Sequence, residues 1–295
     1  MNFNKKVIDK KIVYEYNFSN LSDLYNYLKN NPKVNKDVFL KQISIHGDES
    51  SCGVSLDKAI EYINGGYNIN FENFKIASNS TNQLGQLDDS AISFKRTIHG
   101  GTYLAPLVSA NVAECMIKYE REMAPKCVTI YMQLGFPMVV NDEQIFNRGI
   151  ATINLIRALE DKGYLVDLKA FSLTRVENEI IYINVNLKTI DEVLNLSKCY
   201  YPFVSIEFFR RLFFRVFEST FVENTKWGMF YGQTLIDEEI RKFLNLEQKE
   251  ILINHPSKLG IKGSDVYQDV IDFFKSLKLD EEFDLTNIKQ KVRKR

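Results

Sequence analysis

Two short segments of this chain contain residue types that often do chemistry. Residues 46–49 place the imidazole of His46 beside the carboxylates of Asp48 and Glu49, and such side chains bind metal ions. Adjacent residues of an extended chain point to opposite sides, so they seldom share one ion. Residues 99–101, His-Gly-Gly, are similar to the oxyanion loop of esterases, which needs a nucleophilic GxSxG turn that is absent here. We therefore predict a polar turn at 46–49 and a tight turn at 99–101.

The other common catalytic and binding motifs are absent. The chain has no GxxxxGK[ST] phosphate loop, no HExxH zinc helix and no GxGxxG dinucleotide loop. Its four cysteines form no CxxC pair and it has only three histidines, so a structural zinc site is not expected. We expect the cysteines to be small buried side chains in a reducing compartment. The sequence predicts that the protein is not an enzyme, with no catalytic residue, no cofactor-binding residue and no metal ligand.

The charge balance narrows the class of partner. Lys plus Arg and Asp plus Glu both number 38 in 295 residues, which gives a formal net charge of zero. A histone-like nucleic-acid binder would be strongly basic, and a protein that imitates DNA would carry a large acidic excess. Direct nucleic-acid binding is therefore not expected, although local patches of either sign are compatible with the total. No apolar run reaches the roughly 18–20 residues of a membrane span, and no signal peptide is recognised, which predicts a cytoplasmic protein without a membrane partner.

The elements that must position any site are clearest in the middle of the chain. Residues 128–134 have the pattern of a strand, and an amphipathic helix begins near residue 142 and ends where Gly163 fits the left-handed closing position. Residues 164–173 and 180–187 follow as strands. The fold class predicted is α/β (mixed α+β), with a central βαβ-containing sheet flanked by helices and a helical, aromatic-rich C-terminal region.

Three regions are predicted along the chain: a mixed α+β region at 1–90, a central α/β sheet region at 91–200 and a mainly helical region at 201–295. A polar segment at 79–90 is the predicted loop or linker between the first two. The remaining predicted elements are helices at 21–28, 55–64 (capped by Ser55), 236–246 and 265–277 (capped by Ser264), and strands at 38–45, 92–98, 102–108 and 251–253.

The helix predicted at 203–218 is apolar around most of its girth, and Pro202 suits its first turn. Its polar side chains form a stripe only about 80° wide. Two interpretations stay open: the helix is buried in the core, or it is buried on one side and meets another chain on the other. The second interpretation predicts a homo-oligomer. The residues predicted to contact a partner are Arg211, Arg215, Trp227 and Tyr231, because Trp, Tyr and Arg are favoured at interface hot spots.

Three segments together resemble a known family: residues 55–67 (SLDKAIEYINGGY), 100–116 (GGTYLAPLVSANVAECM) and 146–168 (FNRGIATINLIRALEDKGYLVDL). Their order and the length of the chain are similar to phage-encoded proteins that inhibit the bacterial Gabija anti-phage system. The likeness covers about two-thirds of the chain and consists of core and turn residues. The part after Tyr200 is not matched residue by residue.

The resemblance implies a non-enzymatic inhibitor that acts in the host cytoplasm. It would bind the host Gabija assembly, an ATPase–nuclease subunit with a helicase-like partner, and block its access to DNA. The family supplies no catalytic residue to carry over. A phage structural or assembly protein is the alternative, since such a protein would also lack a catalytic motif, and an unrecognised hydrolase or nuclease is the second alternative.

Overall fold

The computed structural model describes residues 1–82, 94–97, 102–103, 116–119, 126–135, 137, 139–229, 235–246 and 250–277. The strands are β1 (Asn2–Ile8), β2 (Lys11–Phe18), β3 (Phe94–Thr97), β4 (Thr102–Tyr103), β5 (Met116–Tyr119), β6 (Cys127–Gln133), β7 (Leu165–Val176), β8 (Glu179–Lys188) and β9 (Glu250–Ile253). The helices are α1 (Leu21–Lys29), α2 (Ile43–His46), α3 (Glu49–Cys52), α4 (Leu56–Gly65), α5 (Phe71–Thr81), α6 (Asp142–Asp161), α7 (Leu196–Val204), α8 (Phe214–Glu218), α9 (Asp237–Leu244) and α10 (Val266–Leu277). Two 3₁₀ turns, Thr225–Met229 and Pro256–Leu259, and a π-helical segment, Phe208–Phe213, complete the described elements.

A mixed six-stranded sheet forms the centre of the fold, in the order β1-β2-β8-β7-β6-β9. The β1/β2 and β7/β8 pairs are antiparallel hairpins, whereas β2/β8, β6/β7 and β6/β9 are parallel. The described strands of this sheet come from all three of the regions predicted from the sequence. A second sheet has three antiparallel strands in the order β3-β5-β4. The predicted fold class, a mixed α/β protein with a βαβ-containing sheet, is confirmed.

The predicted strand–helix–strand unit is present as β6, α6 and β7. The parallel register runs from Cys127 opposite Leu165 to Gln133 opposite Phe171. Asn141 starts α6 with a capping box, in which its side chain accepts from the Gln144 backbone N–H while the Gln144 side chain accepts from the Asn141 N–H. Gly163 has φ 82°, the left-handed conformation that the sequence predicted for the end of this helix.

Two apolar layers cover the sheet unequally. The larger cluster joins alternate residues of β2, β6, β7 and β8 to α1, α4, α5, α6, α7 and α10, and it includes the fully buried Ile150 and Ile183. The smaller cluster lies on the opposite face, where α9 inserts Ile240 against Phe171 and Leu252. This division follows the two-residue period of strands, since Ile181 belongs to the first cluster and Tyr182 to the second.

Three local predictions were wrong. Residues 38–45, predicted as a strand, form turns that lead into α2, and Val38 and Phe39 are apolar because they are buried there. Pro202 does not start a helix but lies in the last turn of α7, which ends before Ser205. The helix at 266–277 is started by Asp265 rather than Ser264, because the Asp265 carboxylate accepts from the backbone N–H groups of Tyr267 and Gln268.

Residues 79–90, predicted as a linker, are only partly described. Residues 79–81 form the end of α5, and 83–90 lie outside the described residues. The predicted strands at 92–98 and 102–108 are described only as β3 and β4. The predicted tight turn at 99–101 lies outside the described residues.

Candidate functional site

A π-helical segment lies where the sequence predicted the middle of a regular helix. Phe208–Phe213 forms this segment and continues directly into α8. π-Helical turns are rare and occur often at functional sites. Its side chains and those of α8 are all buried, so the helix is covered on every side by its own chain. Of the two interpretations left open by the sequence, burial in the core fits the described residues.

Arg211, predicted as a partner contact, is instead an internal clamp. Its side chain is 1% exposed, and its guanidinium donates to the backbone carbonyls of the residues that surround α2 and α3. The acceptors are Val54 at 2.6 Å, Gly47 at 2.9 Å, Gly53 at 3.1 Å, and Ile43 and Ser44 at 3.3 Å. The arginine therefore holds a segment that has little regular structure of its own.

Two neighbouring arginines, Arg210 and Arg215, also donate to oxygens of other parts of the chain. Arg215 is buried and donates to the side chain of Asn31 and to the carbonyl of Pro32. Arg210 donates to the carbonyls of Ser51 and Pro137. Burial lowers the pKa of both guanidinium groups. Arg211 and Arg215 therefore do not lie at a surface where a partner would meet them in this conformation.

Trp227 is also buried, at 2% exposed. Its indole Nε1–H donates to Glu179 Oε2 at 2.8 Å, and Tyr14 and the backbone N–H groups of Glu223 and Asn224 donate to the same carboxylate. These bonds fasten the segment after α8 to the start of β8. Trp227 thus anchors the chain to its own sheet, and Tyr231, the fourth predicted contact residue, lies outside the described residues.

A cavity of about 490 Å³ opens beside the start of the π-helical segment. It is lined by four acidic residues, Glu49, Asp142, Glu143 and Glu207, and by no basic residue among those that the structure describes. The acidic residues come from α3, from the first turn of α6 and from the residue that precedes the π-helical segment. The cavity is the candidate functional site because it gathers one sign of charge from three distant parts of the chain.

Glu207 is the one buried residue among the four acidic residues that line this cavity. The residue is 8% exposed, and its Oε2 accepts from the hydroxyl of Ser205. Gly53 leaves the space that the carboxylate occupies, since a Cβ on Gly53 would lie 2.1 Å from Glu207 Cγ and 2.6 Å from Oε1. Gly53 also has φ +70°, a conformation in which residues other than glycine are strained. The position of Glu207 therefore depends on glycine at position 53.

Three of the acidic lining residues, Glu49, Asp142 and Glu143, are exposed, and we call them the mouth of the cavity. Asp142 and Glu143 belong to the capped first turn of α6, where carboxylates are favoured by the helix dipole. Burial raises the pKa of Asp142, and the charges of Glu207 and Glu143 raise it further, while Arg210 opposes them. Buried Asp269 accepts from Asn147 and from the backbone N–H groups of Lys262 and Gly263. These bonds join the loop that carries Gly263 to α6, and Asn147 and Gly263 both line the cavity.

Aromatic side chains form the apolar part of the wall. Tyr67, Phe146 and Tyr200 line the cavity, and the Tyr67 ring stacks on that of Tyr201 with centroids 4.9 Å apart. The Tyr200 hydroxyl donates to the carbonyl of Ile69, and burial raises the pKa of Tyr200 to about 12. Burial and then the charge of Glu207 raise the pKa of Tyr67. These phenols therefore stay neutral at physiological pH, so the charge of the cavity comes from its carboxylates.

A second group of buried polar side chains lies where β6 and β9 end. Arg148 from α6 donates to the carbonyls of Gln133 at 2.7 Å and Asn254 at 3.4 Å. Burial lowers the pKa of Arg148 to about 9, which leaves the guanidinium charged at neutral pH. The pKa of His255 is lowered by burial and by the charges of Lys258 and Arg148. Because its bonds join both strand ends to α6, we assign Arg148 a structural role.

Other residues singled out in the sequence have ordinary positions. The segment 46–49 links α2 to α3, and Asp48 caps α3 by accepting from the Ser51 N–H at 2.9 Å. Cys52 and Cys199 are buried as expected, Cys127 is exposed, and Cys115 lies outside the described residues.

Within the described part of the chain, no three His, Cys, Asp or Glu side chains are arranged to hold a metal ion. None of the described helices combines the length and the apolar character that crossing a membrane requires.

Little in the sequence indicates this cavity. Glu207 is one of the polar side chains of the helix predicted at 203–218, and Gly53, Tyr67 and Asp142 belong to no motif. They approach one another only through the packing of α3, α5, α6 and α7, which no local pattern encodes. A glycine two residues before the Ser55 cap is the one local signal, because glycine outside a turn often marks a close approach.

The fold and the cavity define a mixed α/β protein with an acidic, aromatic-walled pocket open to the surface. The chain belongs to the family of the domain of unknown function DUF7192, whose family model matches residues 5–281. A search of curated proteins and a search of solved structures found no match.

Proposed function

We propose that this chain is a non-enzymatic phage inhibitor of host anti-phage defence. It binds the Gabija nuclease–helicase assembly in the host cytoplasm and blocks access of that assembly to DNA. The partner follows from the resemblance of residues 55–67, 100–116 and 146–168 to phage inhibitors of Gabija. Family membership adds no function to this proposal, so the geometry of the cavity is its physical support.

The observation that carries the proposal is the acidic cavity with buried Glu207. A nuclease and a helicase bind the phosphate backbone through Lys and Arg side chains. An acidic recess of another protein is complementary to those side chains, and complementary charge directs one protein surface to another. The zero net charge of the whole chain does not oppose this mode of binding, because the carboxylates are concentrated at one place.

The direct test is co-purification followed by a DNA gel shift. The full chain is expected to co-purify with the Gabija assembly from a host lysate and to reduce the shift of duplex DNA by that assembly. Failure to co-purify would refute the assignment of the partner. DNA binding that continues while cleavage stops would refute the blocking mechanism.

A matched pair of variants shows whether the cavity is used. Asp142→Asn with Glu143→Gln removes two exposed carboxylates at the mouth, and Glu238→Gln with Glu239→Gln removes two acidic residues from the first turn of α9. The first pair is expected to weaken the complex and the second to leave it unchanged. Equal effects of both pairs would show that only total charge matters.

Self-association is part of this proposal, but the apolar girth of the helix predicted at 203–218 no longer supports it. The apolar girth of the 203–218 helix is covered within the chain, so that surface does not demand a second copy. The resemblance to inhibitors of Gabija implies that several copies surround the assembly, so the inhibitor is expected to form a homo-oligomer on its target. Light scattering of the free chain and of the complex measures this, and a monomer in both samples would refute it.

A further inference from the structure

We infer that the acidic cavity is a receptor for the ammonium group of a lysine side chain that a protein partner presents. The identity of that partner rests on the proposed function, whereas the recognition of the ammonium group rests on the cavity alone. Three features of the cavity indicate a lysine side chain as its occupant: the carboxylate of Glu207, the aromatic wall and the acidic mouth.

Glu207 is a buried side chain whose hydrogen-bond partners are incomplete. One carboxylate oxygen accepts from Ser205, and no Lys, Arg or His of the described residues forms an ion pair with the carboxylate. The other oxygen, Oε1, has no donor among the described residues, and it is not one of the fully buried atoms that lack a partner, so it stays accessible from the cavity. A bound cation would give Oε1 a charge-assisted hydrogen bond, so the cavity suits a positively charged group.

The single free oxygen favours ammonium over guanidinium. An arginine forms its strongest carboxylate contact as a fork, which uses both oxygens in parallel. Ser205 already occupies Oε2 of Glu207. A lysine is a compact charge that needs one acceptor at a time, so it matches what Glu207 offers.

The wall suits the rest of a lysine side chain. Tyr67, Phe146 and Tyr200 provide apolar surface in the same cavity as Glu207, and lysine buries its methylene stem along such surface while its charge reaches a polar group. The volume of about 490 Å³ lies within the range of roughly 300–1,000 Å³ that ligand pockets occupy. It therefore has room for one long side chain and the backbone that carries it.

The mouth favours a side chain on a protein over a free amine. Glu49, Asp142 and Glu143 are exposed around the opening, where they can contact neighbouring basic residues of the same partner surface. The positive charge of Arg210 acts on Asp142 and partly offsets the negative charge there. The Arg210 guanidinium itself donates to the carbonyls of Ser51 and Pro137 and does not line the cavity. The net charge lining the mouth is negative.

The first experiment uses small probes and the full chain. Calorimetric titration compares a lysine blocked at both backbone ends with the same compound acetylated at Nζ and with blocked arginine. We expect binding of blocked lysine, weaker binding of blocked arginine and no binding of the acetylated compound. Equal binding of all three, or no binding of any, would overturn the inference. Spermidine is the fourth probe, and tighter binding of spermidine with no competition by the partner would identify a free polyamine as the ligand instead.

Glu207→Gln is the decisive variant, because it removes the charge and keeps the shape. We expect affinity for blocked lysine to fall about tenfold or more, and the melting temperature of the free chain to change little because the amide keeps the shape of the side chain. Glu61→Gln, an exposed residue on α4, is the control and should change neither. If Glu207→Gln does not fold, the Asp142→Asn and Glu143→Gln pair at the mouth must reduce probe binding instead, and unchanged binding would overturn the inference.

The failure of this inference can be told apart from the failure of the proposed function. Probe binding without co-purification of the Gabija assembly would uphold the lysine receptor and refute the partner. Co-purification that is unaffected by Glu207→Gln, together with no probe binding, would uphold the partner and refute the receptor.

Discussion

At the start of the π-helical segment, Glu207 keeps one carboxylate oxygen without a donor in the described structure, whereas Arg211, four residues later, donates to five backbone carbonyls. Both charges are buried in the same helical stretch, and both face the segment that contains α2 and α3. The difference separates a charge used to build the fold from a charge available to a ligand. Burial alone does not distinguish them, but the list of hydrogen-bond partners does.

The segment that contains α2 and α3 contacts both Glu207 and Arg211. Residue 53 contributes its carbonyl to Arg211 at 3.1 Å and, by lacking a side chain, its space to Glu207. The clamp therefore holds the backbone that forms one wall of the cavity. Loss of the Arg211 clamp should therefore lower the free energy of unfolding, whereas changes in the cavity should alter the binding of blocked lysine.

Loss of the clamp is expected to have the largest effect. Arg211→Met keeps a long apolar side chain but leaves up to five buried carbonyls without their donor, so the free energy of unfolding should fall by about 3–5 kcal/mol. Urea unfolding followed by circular dichroism measures this. Arg241→Met, at an exposed position of α9, is the control and should stay within about 0.5 kcal/mol of the parent. A loss below about 1 kcal/mol for Arg211→Met would contradict the clamp.

Two glycines that both have positive φ, although their ψ angles differ (−151° at Gly53 and 120° at Gly66), sharpen the comparison. Gly53→Ala and Gly66→Ala both place a side chain at positive φ, +70° and +81°, which costs about 1 kcal/mol or more. A Cβ at Gly66 has open space, whereas one at Gly53 overlaps Glu207, which should add about 1–3 kcal/mol. The unfolding free energies of the two variants measure the difference. Equal losses would show that Glu207 moves aside easily and that the cavity is not rigid.

The sequence predicted the central strands and several helices of this molecule, but not its site and not every regular element. The unit from β6 to β7 was recognisable because Ile145, Ile156 and Leu159 recur at helical spacing and Gly163 follows the helix. β1 was missed because it is an edge strand in which every residue except the partly buried Lys6 is exposed, and such edges lack an alternating apolar pattern. No period in sequence predicts a π-helical turn or the approach of Gly53 to Glu207, since both depend on tertiary packing.

Trp227 gives a smaller and more selective test. Trp227→Phe keeps an aromatic ring but loses the Nε1–H bond to Glu179, which retains its other donors. The free energy of unfolding should fall by about 1–2 kcal/mol, and binding of blocked lysine should not change because Trp227 does not line the cavity. Thermal unfolding and the calorimetric titration provide the two readouts. Loss of probe binding without loss of stability would instead place Trp227 at a binding surface.

The smallest expected effect is a pH dependence at the mouth of the cavity. Burial, Glu207 and Glu143 raise the pKa of Asp142 above its usual value of 3.8, and Arg210 only partly opposes them. An acid with a raised pKa binds its proton more tightly in the folded state, so its contribution to stability is present at low pH and is lost as pH rises through the raised pKa. A bound ammonium group favours the ionised carboxylate, so binding should release protons in that window and strengthen as pH rises through it. Titrations in two buffers with different ionisation enthalpies measure the proton release, which Asp142→Asn should reduce, whereas a release that Asp142→Asn leaves unchanged would assign the titration to another group.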